Sequence, residues 1–280
     1  MSAATVPDRV RRAIHPYAMP LLAGALAACG CMAPQRMPTP TERDDVVFYC
    51  DGAGGGGPLT NWGHSVLQGL EQDGYEGEFR NFRWQTGLGA LADQVTSVKY
   101  KRERAAELAR AMTAHWQRFP GGSVHLIGLS AGSAIVVYAL EALPGAYQVD
   151  YVILLGSSLS AEYDLRRALR RVRGEVYVFT SKRDRVLSVL VPLTGTADRK
   201  RVGKRVAGRY GILMPPDADD ETEALYSKIV NVQWDDTRAE HGDPGTHTGA
   251  TNPEFVRRFI APLVNRDGPR PLTVTDGPAE

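Results

Sequence analysis

At 280 residues, with 33 Lys and Arg against 32 Asp and Glu and a formal charge of +1, the chain can build one substantial core and has no net field to gather nucleic acid or acidic substrates. Its 3 cysteines, Cys29, Cys31 and Cys50, are too few for a disulfide framework and lack the paired spacing of a zinc site, so no metal is expected. Cys50 closes the apolar run VVFYC, where a buried free thiol is the expectation and a bridge to Cys31 the alternative.

Arg9, Arg11 and Arg12 precede a mainly apolar stretch from Tyr17 to Ala28, the charge-then-apolar order of a secretory signal. The stretch is shorter than the ~20 residues that span a bilayer, so export rather than a transmembrane helix is expected. Leu26-Ala27-Ala28-Cys29 resembles the bacterial lipobox, which implies a signal peptide over 1–28, lipidation at Cys29 and a tether over 29–44. The protein is then anchored by lipid in a bacterial envelope, facing the periplasm or exterior. Cleavage at any small residue, with Cys29 incidental, is the alternative. Pro34, Pro38 and Pro40 fit an extended tether.

From Asp45 short β-branched runs alternate with stretches of helical period, as in a parallel sheet with crossover helices. Strands are expected at Val46–Cys50, Glu78–Trp84, Val124–Leu129, Val149–Leu155, Glu175–Thr180 and Ile229–Trp234. A helix is expected within Ala92–Phe119, with Leu108, Met112 and Trp116 on one face. Another should start at Asn252-Pro253, an N-cap followed by proline at the first helical position, and run to about Leu263. Residues 191–227 hold a basic cluster (Arg199, Lys200, Arg201, Lys204, Arg205, Arg209) and then an acidic run, Asp217 to Glu223. They read as a solvated, partly mobile insertion or lid, with anionic headgroup binding as the alternative. The interval between Leu155 and Glu175 is too short for a separate cap domain. Residues 266–280, rich in Pro and Gly, read as a disordered tail.

The chemistry concentrates in His125-Leu126-Ile127-Gly128-Leu129-Ser130-Ala131-Gly132-Ser133-Ala134, a strand running into GxSxG and then an apolar helix. A serine at so tight a turn needs small neighbours, because a Cβ at Gly128 or Gly132 would crowd the adjoining strand or helix. With its strand order, this motif resembles the α/β-hydrolase family from about Val46 to Val264. The resemblance implies a three-layer α/β-hydrolase fold over 45–265: a mostly parallel sheet, helices on both faces and no large cap domain.

It further implies Ser130 as nucleophile, Asp184 in Ser181-Lys182-Arg183-Asp184 as the acid, and a histidine before the last helix as the base. His247 stands in that position and His241 is the alternative. The oxyanion hole would combine the Ala131 amide with that of Ala53 or Gly54 in the run Asp51-Gly52-Ala53-Gly54-Gly55-Gly56-Gly57. Many members carry His-Gly where this chain has Asp51-Gly52, which leaves the second donor open. A loop of so many glycines should be flexible unless neighbours such as Trp62 order it. His64, His115 on a surface helix and His125 in a strand are expected to be structural, with a pocket role as the alternative for His64. Trp84 is expected to be a core aromatic, bordering the cleft otherwise.

The implied activity is hydrolysis of a small-molecule or lipid ester through an acyl-enzyme, without a cofactor. Two other readings stand beside it. The glycine run also satisfies GxGxxG, the dinucleotide fingerprint, with Arg83 near the second strand's end as a possible partner for the 2′-phosphate of NADP. Alternatively the fold serves as a non-catalytic envelope binding protein.

Overall fold

In each strand the alternate residues divide between two helical layers, and this division sets the architecture. A computed structural model gives the fold and describes residues 44–57, 60–200 and 205–265. The expected signal peptide, Cys29, Cys31, the tether up to residue 43 and the tail from 266 lie outside the described residues. Strands β1 (Val46–Cys50), β2 (Glu78–Asn81), β3 (Val124–Leu129), β4 (Tyr151–Leu155), β5 (Val176–Thr180) and β6 (Ile229–Gln233) form one sheet in the order β2-β1-β3-β4-β5-β6. All its pairings are parallel.

One face presents Val46, Phe48, Leu126, Val152, Leu154, Val176 and Val178 to helices α3 (Val98–Arg118) and α4 (Gly132–Ala142). The other presents Val47, Tyr49, Ile127, Leu129, Ile153, Leu155 and Phe179 to α1 (Trp62–Gln72) and to the helical turns at 253–264. Strands buried on both faces read as continuous apolar runs, as parallel sheets require. This is a three-layer α/β fold, a parallel sheet between two helical layers.

Several elements differ from the sequence reading. β2 stops at Asn81 because Phe82 donates its last ladder bond to Tyr49 and the chain then leaves the sheet, carrying Trp84 into the core. The helix expected within Ala92–Phe119 is α3, and a separate short helix precedes it. The short α2 (Ala90–Val95) ends, and Ser97 caps α3 by accepting from the Tyr100 amide at 3.1 Å. The buried Lys101 ammonium spans the interval between the two helices, donating to the carbonyls of Gln94 at 3.1 Å, Thr96 at 3.3 Å and Ala197 at 3.2 Å. Leu108, Met112 and Trp116 do share the buried face. His115 is also buried on α3, its Nε2 2.9 Å from the Asp44 carbonyl, rather than at the surface. His125 stacks on Tyr151 inside the sheet layer, and His64 is exposed on α1.

The segment expected as a solvated insertion is instead sewn to the loop after β4. Ala161 donates to Arg205, Ala207 to Leu159, Gly208 to Ser157 and Ala197 to Ser158, all between 2.7 and 2.8 Å. Ala197 and Ala207 are fully buried. The acidic run becomes the start of the helix Asp220–Tyr226, where Asp219 accepts from the Thr222 amide at 2.9 Å as N-cap.

Candidate active site

β3 ends at Leu129 and α4 begins at Gly132, so Ser130 and Ala131 alone turn the chain from strand to helix. Ser130 takes a φ of 51°, a left-handed conformation that costs a side-chain-bearing residue about 1–3 kcal/mol. Its surroundings hold it there. The Ser130 amide donates to Leu155 at 2.9 Å, and its carbonyl accepts from Ser133 at 3.1 Å and Ser158 at 3.3 Å. The flanking glycines give the room expected of them: a Cβ on Gly128 would stand 2.9 Å from the Ser133 Cα, and one on Gly132 only 2.2 Å from the Cys50 carbonyl oxygen. The second clash shows that the end of β1 presses against the turn.

Asp184 lies in the turn after β5, fully buried, with Oδ1 accepting the Leu187 amide at 2.9 Å. Its Oδ2 is 2.7 Å from His247 Nδ1, and His247 Nε2 is 2.8 Å from Ser130 Oγ. The loops carrying the acid and the histidine are fastened together by Ser181 Oγ, which donates to the Gly245 carbonyl at 2.7 Å. His241 is elsewhere: it ends the helix Asp236–Glu240, 3.7 Å from Glu254 and edge-on to Phe259. Of the two candidate histidines, the fold brings His247 to Ser130.

Behind this pair Asp184, His247, Phe179, Trp234, Arg238 and Asp243 line a cavity of about 20 Å³. Asp243, which sequence reasoning missed, is buried and accepts the Gly245 amide at 2.9 Å, pinning the loop that carries His247. Burial lifts its carboxyl from 3.8 to about 6; the Gly245 amide and Arg238 oppose the lift, and Asp184 adds to it. With the folded value above the unfolded one, the folded state binds more protons between those values, and stability falls as pH rises through that window. Asp243→Asn keeps an acceptor for Gly245 without the charge. It is expected to raise Tm at pH 7.5 by about 2–4 °C, with the gain vanishing near pH 4, by calorimetry. An equal gain at both pH values would rule out the charge as its cause.

The glycine-rich loop is held by two carboxylates. Asp51, fully buried, accepts from Tyr49 Oη at 3.0 Å and from the Gly52 and Gly56 amides at 3.1 and 2.9 Å. Desolvation still pushes its carboxyl above the ordinary value. Buried Asp93 of α2 accepts the Gly54 amide at 2.8 Å through one oxygen, and the Thr86 amide and hydroxyl at 2.7 and 2.6 Å through the other. Trp84 Nε1 donates to the Asp51 carbonyl at 2.7 Å, which makes this core aromatic a brace for the loop as well.

These bonds bear on the two amides offered as the second oxyanion donor, Ala53 and Gly54. The Gly54 amide is engaged by Asp93, and Gly55 and Gly57 donate to Gly52 and Thr60. Among the described residues that leaves only the Ala53 amide of the run 52–57 without an acceptor, beside Gly52, whose Cβ position would lie 3.3 Å from Ser130 Cβ. The same bonds weigh against a dinucleotide cradle. Donors that GxGxxG would direct at a pyrophosphate go to carboxylates, whose charge repels phosphate. Asp51 had a sequence signal in its place before the glycine run; Asp93, 39 residues from Gly54, had none. Cys50 is a free buried thiol, its ionisation suppressed by burial and by Asp51.

No family model matches the chain, and no curated protein sequence is similar to it. Solved structures similar to it include a Pyrobaculum calidifontis esterase, at 14% identity and a TM-score of 0.44 over 81% of this chain and 78% of that one. A CIB-like hydrolase from Thermoplasma acidophilum gives 15%, 0.44, 81% and 89%. A Trichoderma reesei cutinase bound to a phosphonate inhibitor gives 15%, 0.39, 79% and 75%.

Proposed function

We propose that the protein is a serine hydrolase of carboxylic esters. The observation that carries this reading is the unbroken hydrogen-bonded chain from Asp184 through His247 to Ser130, at 2.7 and 2.8 Å, ending on a serine strained at a strand-to-helix turn. In the proposed reaction His247 Nε2 takes the Ser130 Oγ proton as the oxygen attacks the ester carbonyl. Asp184 holds the Nδ1–H tautomer and stabilises the imidazolium that forms. The Ala131 amide, at the start of α4, and the Ala53 amide receive the developing oxyanion, where fixed dipoles stabilise the transition state more than the substrate. The intermediate collapses, His247 returns its proton to the departing alkoxide, and the alcohol leaves. Water then attacks the acyl-enzyme with His247 as base, releasing the carboxylic acid and restoring Ser130.

An ester is the first choice because its carbonyl is less resonance-stabilised than an amide's and its alkoxide leaves without the nitrogen protonation an amide requires. The test is hydrolysis of a p-nitrophenyl ester series, together with labelling by a fluorophosphonate, which reacts with activated serines. Turnover and labelling that both vanish in Ser130→Ala are expected. A folded protein that neither labels nor turns over any ester would favour the non-catalytic binding role, and labelling with turnover of amides alone would move the substrate class.

A further inference from the structure

Two short segments flank Ser130 and turn apolar side chains outward. On the side of the glycine-rich loop, Leu88 is 82% exposed, Leu91 64% and Val95 42%. Leu91 and Val95, four apart on α2, share a face. On the side of Asp184, Val186 is 37% exposed, Val189 61% and Leu193 78%, while Leu187 and Val191 turn inward to a small cluster with Val206. A segment that buries one apolar row and exposes another is not simply completing the core. Isolated exposed apolar residues are ordinary, but two rows on one rim are not.

The rows are fixed to each other and to the site. Gln94 Nε2 donates to the Gly195 carbonyl at 3.1 Å, which joins the chain beside Val95 to the chain just beyond Leu193. Lys101 bonds both segments, through Gln94 and Ala197. Asp93 in the first segment holds the Gly54 amide, and Asp184, whose carboxylate holds the Leu187 amide, opens the second. Exposed basic residues border the second row, with Lys182, Arg183 and Arg185 before it and Arg199 and Lys200 after it. Of the acidic groups nearest these rows, Asp93 and Asp184 are buried, Asp198 accepts from the Ser160 amide and hydroxyl at 2.9 and 2.7 Å, and the exposed Asp236 pairs with Arg183 at 3.3 Å, which leaves Lys182, Arg185, Arg199 and Lys200 as the basic border.

We infer that this apolar, basic-bordered rim docks the protein on a lipid surface with anionic headgroups, bringing the mouth above Ser130 to the interface so that the ester cleaved is one presented by that surface. This names the substrate class of the site and rests on the hydrolase reading. Apolar side chains inserted at the headgroup boundary and cations over anionic lipid supply the two attractions such binding needs.

The test is flotation of the full-length chain with vesicles of phosphatidylcholine alone or with a third phosphatidylglycerol, carrying Cys29→Ser throughout so that no acyl chain contributes. Binding to the anionic vesicles is expected. It should weaken at least about tenfold in Leu88→Ser/Leu91→Ser and in Val189→Ser/Leu193→Ser, and also in Arg185→Gln/Lys200→Gln. These positions are exposed, and thermal unfolding checks that each variant is folded. Failure of the parent to bind anionic vesicles, or undiminished binding by both apolar variants, would overturn the inference. So would a dimer in solution that the same substitutions dissociate while vesicles go unbound, since the rim would then be covered by a second copy. Fluorophosphonate labelling of Ser130 is read on the same samples: labelling without vesicle binding overturns the docking surface and leaves the hydrolase reading, whereas vesicle binding without labelling overturns the hydrolase reading, and with it the surface-borne ester as substrate, and leaves only the docking surface.

Discussion

His247→Ala should lower kcat for a soluble ester by about 10⁴- to 10⁶-fold while KM changes by less than about threefold. In the proposed mechanism the imidazole takes the proton of Ser130 Oγ, 2.8 Å from its Nε2, and among the described residues no other histidine bonds that oxygen. His241, beside Glu254 and Phe259, is too far along the loop, so His241→Ala should retain parental kcat. Asp184→Asn keeps the shape of the side chain but presents an amide to Nδ1, which favours the wrong tautomer; a loss of about 10⁴ is expected. Because the three groups act as one unit, Ser130→Ala/His247→Ala should cost no more than either single change. Steady-state and single-turnover kinetics check these values. Parental rates in His247→Ala would remove the proposed mechanism, and a fall in both single variants that multiplied in the double would show that the two residues act independently.

The second large effect is expected at Asp93, which does not touch the substrate. Its carboxylate accepts three bonds: the Gly54 amide at 2.8 Å, the Thr86 amide at 2.7 Å and the Thr86 hydroxyl at 2.6 Å. Asp93→Ala leaves these part-buried donors without their acceptor, at up to about 1–3 kcal/mol for each one that water does not reach. It also frees the Gly54 amide to turn the peptide next to Ala53. An oxyanion donor displaced by a fraction of an ångström loses most of its value, and one donor is worth about 10²–10³ in kcat. The expected result is a fall in kcat of that size with KM nearly constant. Asp93→Asn, which retains one acceptor oxygen, should recover part of it. Equal loss in kcat and in thermal stability with no recovery by Asn would make Asp93 a support of the fold only.

How much of this was legible in the sequence follows from the range of each interaction. The parallel sheet, its two apolar faces and the elbow at Ser130 are local patterns: β-branched runs, GxSxG between a strand and an apolar helix, and Asn252-Pro253 at a helix start. The family resemblance offered Ser130, Asp184 and either His247 or His241 as candidates, all placed after strands, where a parallel sheet delivers its strand ends to one edge. The short helix α2 before α3 was not visible, since the contacts of Lys101 that hold it reach Ala197 across 96 residues. The segment around 197–213 looked solvated because its charges dominate the composition, while the backbone bonds that sew it to 157–161 leave no mark on residue type.

The sequence by itself determined which residues could carry the chemistry and on which layer each strand's side chains would fall, because period and turn chemistry act within a few residues. Only the tertiary structure decided between His247 and His241, assigned the Gly54 amide to Asp93 and left that of Ala53 free, and gathered the exposed leucines and valines of 88–95 and 186–193 on one rim. Each of those outcomes depends on loops from different strands meeting at the same sheet edge, where distances of a few ångströms between residues far apart in the chain are set by packing.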